Sequence, residues 1–90
     1  MTMHKKARVP LVCTYDSEAD ATYINLEHPI AVGTAQRTPT FDTPIGMFNL
    51  DLDADGHVLG LEILDARRHL PPALMAAIRE ADPIEPSDNQ

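Results

Sequence analysis

Asp51-Leu52-Asp53-Ala54-Asp55-Gly56, followed by Glu62, reproduces the residue spacing of a twelve-residue calcium loop. In such a loop, carboxylates at the first, third and fifth places, a glycine at the sixth and a bidentate glutamate at the twelfth surround the ion with oxygen. A loop of that kind lies between two helices. Here the flanks, IGMFNL before and VLGLEIL after, alternate with a period of two, which is the mark of strands. Between strands the same residues form an acidic hairpin turn, with Gly56 supplying the left-handed conformation. Glu62 then stands at least about 18 Å beyond Gly56 along an extended chain, too far to close round an ion held by Asp53 and Asp55. Asp51, Asp53 and Asp55 remain as candidates for weaker divalent-cation binding.

Asp16, Glu18 and Asp20 form a second acidic group. Two carboxylates at a suitable separation perform general acid–base chemistry, and a meeting of Tyr15, Asp16 and Glu62 in one pocket would make a small hydrolase. Three acids in a five-residue loop are more simply read as solvated. The histidines, His4, His28, His57 and His69, lack the tight pair spacing of metal ligands. His57 and His69 meet Asp65 only if the chain folds back over its last strand. Cys13 has no histidine partner and reads as a small core residue. There is no phosphate-binding glycine loop, nucleophile elbow or dinucleotide fingerprint. No catalytic residue and no cofactor is therefore assigned. Arg67 and Arg68 are too few to support a nucleic-acid claim.

The elements that position these residues follow from periodicity. Residues 9–15 (VPLVCTY) are apolar and β-branched and read as a strand, with Pro10 suited to an edge or a first position. Residues 16–20 are a loop in which Asp16 accepts backbone hydrogen bonds. In residues 21–27, Thr22, Ile24 and Leu26 face one way and Tyr23, Asn25 and Glu27 the other, so this strand pairs back on the first. Residues 30–37 read as a third strand and TPTFDTP as loop. Residues 45–52 and 57–64 make a hairpin, the latter with Leu59, Leu61 and Ile63 on one side. Leu70, Leu74, Ala77, Ile78 and Ala81 then fall on one helical stripe. Pro71 and Pro72 open that helix and Asp82-Pro83 ends it. The expected architecture is α+β: an antiparallel β-meander of four or five strands with one helix, residues 70–81, packed on one face.

Ninety residues with 43% hydrophobic content suit a single domain over residues 9–82, between a disordered basic head at 1–8 and a disordered acidic tail at 83–90. A core this small is thin, and the expectation is a homodimer. The formal net charge of −7, from 14 acidic against 7 basic residues, repels phosphate backbones and disfavours nucleic acid. It suits instead a basic protein partner. One cysteine fits a reducing compartment. The apolar run from Val9 to Cys13, broken by Pro10, is shorter than the ~7–15 residues of a secretory core. No stretch approaches the ~20 residues of a membrane span. The expected location is cytoplasmic, with no membrane association.

Two segments together carry a resemblance. One is Tyr15-Asp16-Ser17-Glu18-Ala19-Asp20-Ala21-Thr22-Tyr23-Ile24. The other runs from Leu50 through Asp51, Asp53, Gly56, Gly60 and Glu62 to Ala66. This pairing resembles a small bacterial family known as domain of unknown function 2283, whose members join a Y-D-x-x-A-D-A-x-Y-I hairpin to a D-x-D-x-x-G-x-x-x-G-x-E-I-L-x-A hairpin. The motif residues are Tyr15, Asp16, Ala19, Asp20, Tyr23, Ile24, Asp51, Asp53, Gly56, Gly60, Glu62 and Ala66. Thr22 stands where the family usually has leucine, and Arg67 where serine is common. The resemblance implies a compact sheet-plus-helix domain with no assigned activity and no catalytic residues to carry over. Relatives beside small toxin-like genes imply a neutralising partner role. The functional expectation is a non-enzymatic protein-interaction module, with divalent-cation binding or a small carboxylate hydrolase as alternatives.

Overall fold

The computed structural model describes residues 3–83. The disordered head and tail expected at 1–8 and 83–90 extend over residues 1–2 and 84–90, which lie outside the described residues. β1 (Val12–Asp16) and β2 (Ala21–Asn25) form the first hairpin. Asp16 closes it: its Oδ1 accepts the backbone N–H groups of Glu18 at 2.9 Å and Ala19 at 3.2 Å. β3 (Thr40–Thr43), β4 (Gly46–Leu52) and β5 (Val58–Leu64) follow as three consecutive antiparallel strands. Two helical pieces end the domain, α1 (Ala66–His69) and α2 (Pro72–Glu80).

The fold is α+β, a five-stranded antiparallel sheet with its helical segment on one face, as the sequence predicts. The strand order, β1-β2-β5-β4-β3, adds what periodicity does not carry: β5 lies in the middle, between β2 and β4. Strand residues opposite one another share a face. Tyr15, Thr22, Ile63, Phe48 and Phe41 therefore form one row on the helix side, with Cys13, Ile24, Leu61 and Leu50 in the next. Thr14, Tyr23, Glu62, Asn49 and Thr40 form the matching row on the other side.

The helices cover one end of the apolar side. Ala66, Leu70 and Met75 are buried against Tyr15, Ile63, Leu74 and Ile78. Each large aliphatic side chain contributes about 1.5–3 kcal/mol when fully buried. The buried stripe runs through Met75, whereas Ala77 and Ala81 stay exposed. Pro72 is the first helical residue, where a missing N–H costs nothing. At the opposite end Leu59 is only 2% exposed. It is the extra residue of a bulge, since Asp51 pairs Gly60 and Leu52 pairs Val58. Its carbonyl accepts the N–H groups of Leu26 at 2.8 Å and Glu27 at 3.1 Å, as the chain leaves β2.

Four boundaries differ from the sequence expectation. The single helix expected over 70–81 is two pieces, Ala66–His69 and Pro72–Glu80, because Leu70 and Pro71 take extended backbone between them, and Ala81 is extended too. The first two strands are shorter than 9–15 and 21–27. Residues 30–37 are not a strand: Gly33 at φ +87° and a Thr34 N–H bonded to the Ala31 carbonyl fold them into a turn, and only Arg37 bridges Leu52. The strand lies instead in TPTFDTP, at residues 40–43. It is an edge strand, where flanking prolines do no harm because no partner needs their N–H. Among the described residues no helix is long and apolar enough to cross a membrane.

Candidate functional site

Gly60 and Glu62 of β5 face away from the helices, as does Tyr23 of β2. Gly60 has no side chain, and the Tyr23 ring lies across it; a Cβ at this position would run into the ring and its hydroxyl. The phenol thus crosses β5 and donates to Asp51 Oδ2 on β4 at 2.8 Å. Thr38, just before β3, donates to the other oxygen of Asp51 at 2.9 Å. Asn49 Nδ2 donates to Glu62 Oε1 at 2.6 Å. Burial, the bond to Asp51 and the charges of Asp51 and Glu62 push the Tyr23 phenol well above its ordinary value, so it remains a neutral donor. Asp16 and Asp42 stand at the two margins of this face. The strand positions facing this way carry four carboxylates (Asp16, Asp42, Asp51 and Glu62) and no Lys, Arg or His. Fixed carboxylates with spare lone pairs are acceptors for guanidinium and ammonium groups.

A second group ties the helices down. Tyr15 donates to Asp20 Oδ1 at 2.7 Å, the Arg67 N–H donates to the same atom at 3.1 Å, and Arg67 Nε lies 3.4 Å from Asp20 Oδ2. The Asp20 carbonyl accepts the Ala66 N–H at 2.8 Å. The Tyr15 hydroxyl and the Arg67 groups hold the Asp20 carboxyl below its usual range, and the same bond raises Tyr15.

The hairpin turn gathers a third group. Asp53, Asp55 and His57 bring ligand atoms within 4.8 Å of one another. Asp51, the remaining candidate from the sequence, stands outside that group, held by Tyr23 and Thr38. His57, which pair spacing among the histidines does not single out, takes its place; its position two and four residues after the aspartates is the signal that marks it. Asp53 already closes the turn: Oδ1 accepts the N–H groups of Asp55 at 3.0 Å and His57 at 2.8 Å, and Oδ2 sits 2.9 Å from His57 Nδ1. The His57 backbone N–H, then its ring, lower the Asp53 carboxyl. Gly56 takes φ +87°, the left-handed value expected of it. Strands flank this turn on both sides.

The hydrolase arrangement is not brought together. Tyr15 and Glu62 lie on opposite faces. Asp16 is two strands and two residues from Glu62, about 12 Å between backbones, and Glu62 leans towards Asn49, away from it. Glu18 is exposed in the turn. His57 and His69 sit beyond opposite ends of β5. His69 packs edge-on to Phe48 at 5.7 Å and does not meet His57. Cys13 is half-buried, and burial raises its thiol.

These features define a class: a small domain with an antiparallel sheet, an apolar side covered at one end by two short helical pieces, and an acidic, hydrogen-bonded opposite side. The profile of one family, protein of unknown function (DUF2283), matches residues 13–67. The chain belongs to that family. No curated protein and no solved structure matches it. Most of the shared motif has a structural role in this fold: Asp16, Asp53 and Gly56 shape turns, Tyr15 and Asp20 anchor Ala66, Ile24 packs on the helix side, and Ala19 lies in the first turn. Tyr23, Asp51, Gly60 and Glu62 are the motif residues that build the open face.

Proposed function

We propose that the protein is a non-enzymatic interaction module that neutralises a basic protein surface through the open face of its sheet. The observation that supports this reading is the arrangement of Asp16, Asp42, Asp51 and Glu62 on one face, with no Lys, Arg or His at the strand positions that share it, and with Asp51 and Glu62 held by Tyr23, Thr38 and Asn49. Side chains already fixed lose little freedom on binding, so each bond to an arginine costs less order. The net charge of −7 steers a basic partner towards the molecule. A lone, half-buried thiol suits work in a reducing, cytoplasmic setting.

Titration of the isotopically labelled protein with an arginine-rich peptide of about 20 residues tests this. The expected result is a set of shifted NMR signals from Tyr23, Thr40, Asn49 and Glu62, lost when Asp42, Asp51 and Glu62 are changed together to Asn, Asn and Gln. Signals that move only in the 82–88 segment, or a titration unaltered by those substitutions, would refute the reading.

A further inference from the structure

The two edges of the sheet are built differently. β3 carries the charged Asp42 and has Pro39 and Pro44 at its flanks, the devices that keep an edge strand from pairing with another chain. β1 is guarded less: from Leu11 to Tyr15 there is no charge and no proline, its one charge, Asp16, is the last residue of the strand, and Pro10 stands two residues before its start. Its approach is apolar, with Val9 66% and Leu11 48% exposed. A groove of about 370 Å³ runs beside it on the helix side, lined by Leu11, Cys13, Leu74, Ala77, Ile78 and Ala81 among others. A second, of about 400 Å³, lies among Val9, Pro10, Val12 and Leu26.

We infer that β1 is the pairing edge for a second copy of this chain, joined antiparallel about a twofold axis at Thr14 to make one continuous ten-stranded sheet. The charge order along the chain argues for this occupant. Lys5, Lys6 and Arg8 precede β1, and Asp16, Glu18 and Asp20 end it and follow it. Antiparallel pairing sets the cations of each protomer beside the acids of the other, at both ends of the joint. Parallel pairing would set like against like. In the Thr14-centred register Cys13 meets the second copy's Tyr15 position on the helix side and Val12 meets its Asp16 position. An axis perpendicular to the sheet keeps both apolar sides on one surface, so the two copies of α2 flank the groove together. Ala77 and Ala81, exposed in the single chain, are small enough for these helices to approach closely. Such an isologous contact is closed and leaves the guarded β3 edges outermost.

Asp16 belongs both to this joint and to the acidic face, whereas Asp42, Asp51 and Glu62 lie on strands away from it, so the pairing is tested through Thr14 and the basic residues before β1 and the face through those three carboxylates. Sedimentation equilibrium at 100 µM should give twice the 9.9 kDa chain mass. A Thr14→Lys variant places two like charges opposite each other and should sediment as a folded monomer. Changing Lys5, Lys6 and Arg8 to Glu should weaken the dimer at least tenfold, and adding Glu18→Lys should recover part of the loss. Because Thr14 faces itself across the axis at a backbone separation of about 4.5–5.5 Å, the Cys13→Ser/Thr14→Cys protein should oxidise to a disulfide-linked dimer. Cys13→Ser/Asp42→Cys, on the other edge, should not. A monomeric parent protein, an undiminished dimer in Thr14→Lys, or cross-linking through position 42 in place of 14 would overturn the inference.

Discussion

Replacing Gly60 with alanine is the sharpest probe of how the open face is built. The new methyl group occupies the place of the Tyr23 ring, so the ring must lift and its bond to Asp51 must break. That bond joins a half-buried phenol to a partly exposed carboxylate, and its loss costs about 1 kcal/mol. Returning roughly 50 Å² of ring to water, a quarter of the area of a tyrosine, costs about 1.3 kcal/mol. Alanine also narrows the unfolded ensemble, which offsets about 0.4–1 kcal/mol. The net expectation is a loss of about 1.5 kcal/mol, seen in urea unfolding as a lower midpoint at unchanged slope. Ordinarily the substitution of glycine by alanine inside a strand helps, so the sign is informative. The decisive comparison is a double-mutant cycle. In a Tyr23→Ala background Gly60→Ala should become neutral or stabilising. An equal cost in both backgrounds, or a stabilised Gly60→Ala single variant, would show that the tyrosine does not lie across β5.

Thr22 is fully buried on the helix side, and its hydroxyl has no hydrogen-bond partner among the described residues; Thr22→Val should therefore raise stability by about 1 kcal/mol, read by urea unfolding. Met75→Ala, which empties the buried centre of the helix contact, should cost about 2–4 kcal/mol, while Ala77→Ser on the exposed side should change the single-chain stability little. Asp20 and Asp53 have lowered folded-state pKa values, so the stability they contribute is present above the ordinary aspartate value and is lost as pH falls through the folded one; Asp20→Asn should flatten the acid limb of a stability-against-pH curve. Tyr23 is shifted upwards, so its contribution holds in full below about pH 10 and is lost as pH rises through the folded value; an alkaline limb that is the same in Tyr23→Phe would contradict this.

Much of the sheet is legible because faces follow period two: Phe48, Leu50 and Leu52, or Leu59, Leu61 and Ile63, mark the apolar side through their alternation alone. Turn chemistry is equally local, and Asp16 and Gly56 behave as their types predict. What periodicity lacks is information about neighbours. Tyr23 and Asp51 are 28 residues apart and meet only because β5 separates β2 from β4. The two residues are present in the motif, yet nothing in their spacing says that one reaches the other. The edge strand at 40–43 hides for a different reason: flanking prolines, which would break an inner strand, are harmless at the rim. The helix stripe is right in direction but displaced towards Met75, because a helix over an edge strand needs to bury only a narrow seam, and the alanines fall outside it.

The central place of β5 has a consequence for biosynthesis. The chain makes its two flanks first, β1–β2 and then β3–β4, and neither hairpin is stable alone in water. They are joined only when residues 58–64 are made. At about 5–20 residues per second, the interval from Asn25 to Leu64 lasts roughly 2–8 s, during which the nascent chain holds unpaired apolar hairpins in the crowded cell. Asp16, Glu18 and Asp20 lie in and beside the first of these turns and Asp42 beside the second, and like charges oppose the association of such exposed hairpins while β5 is still to come.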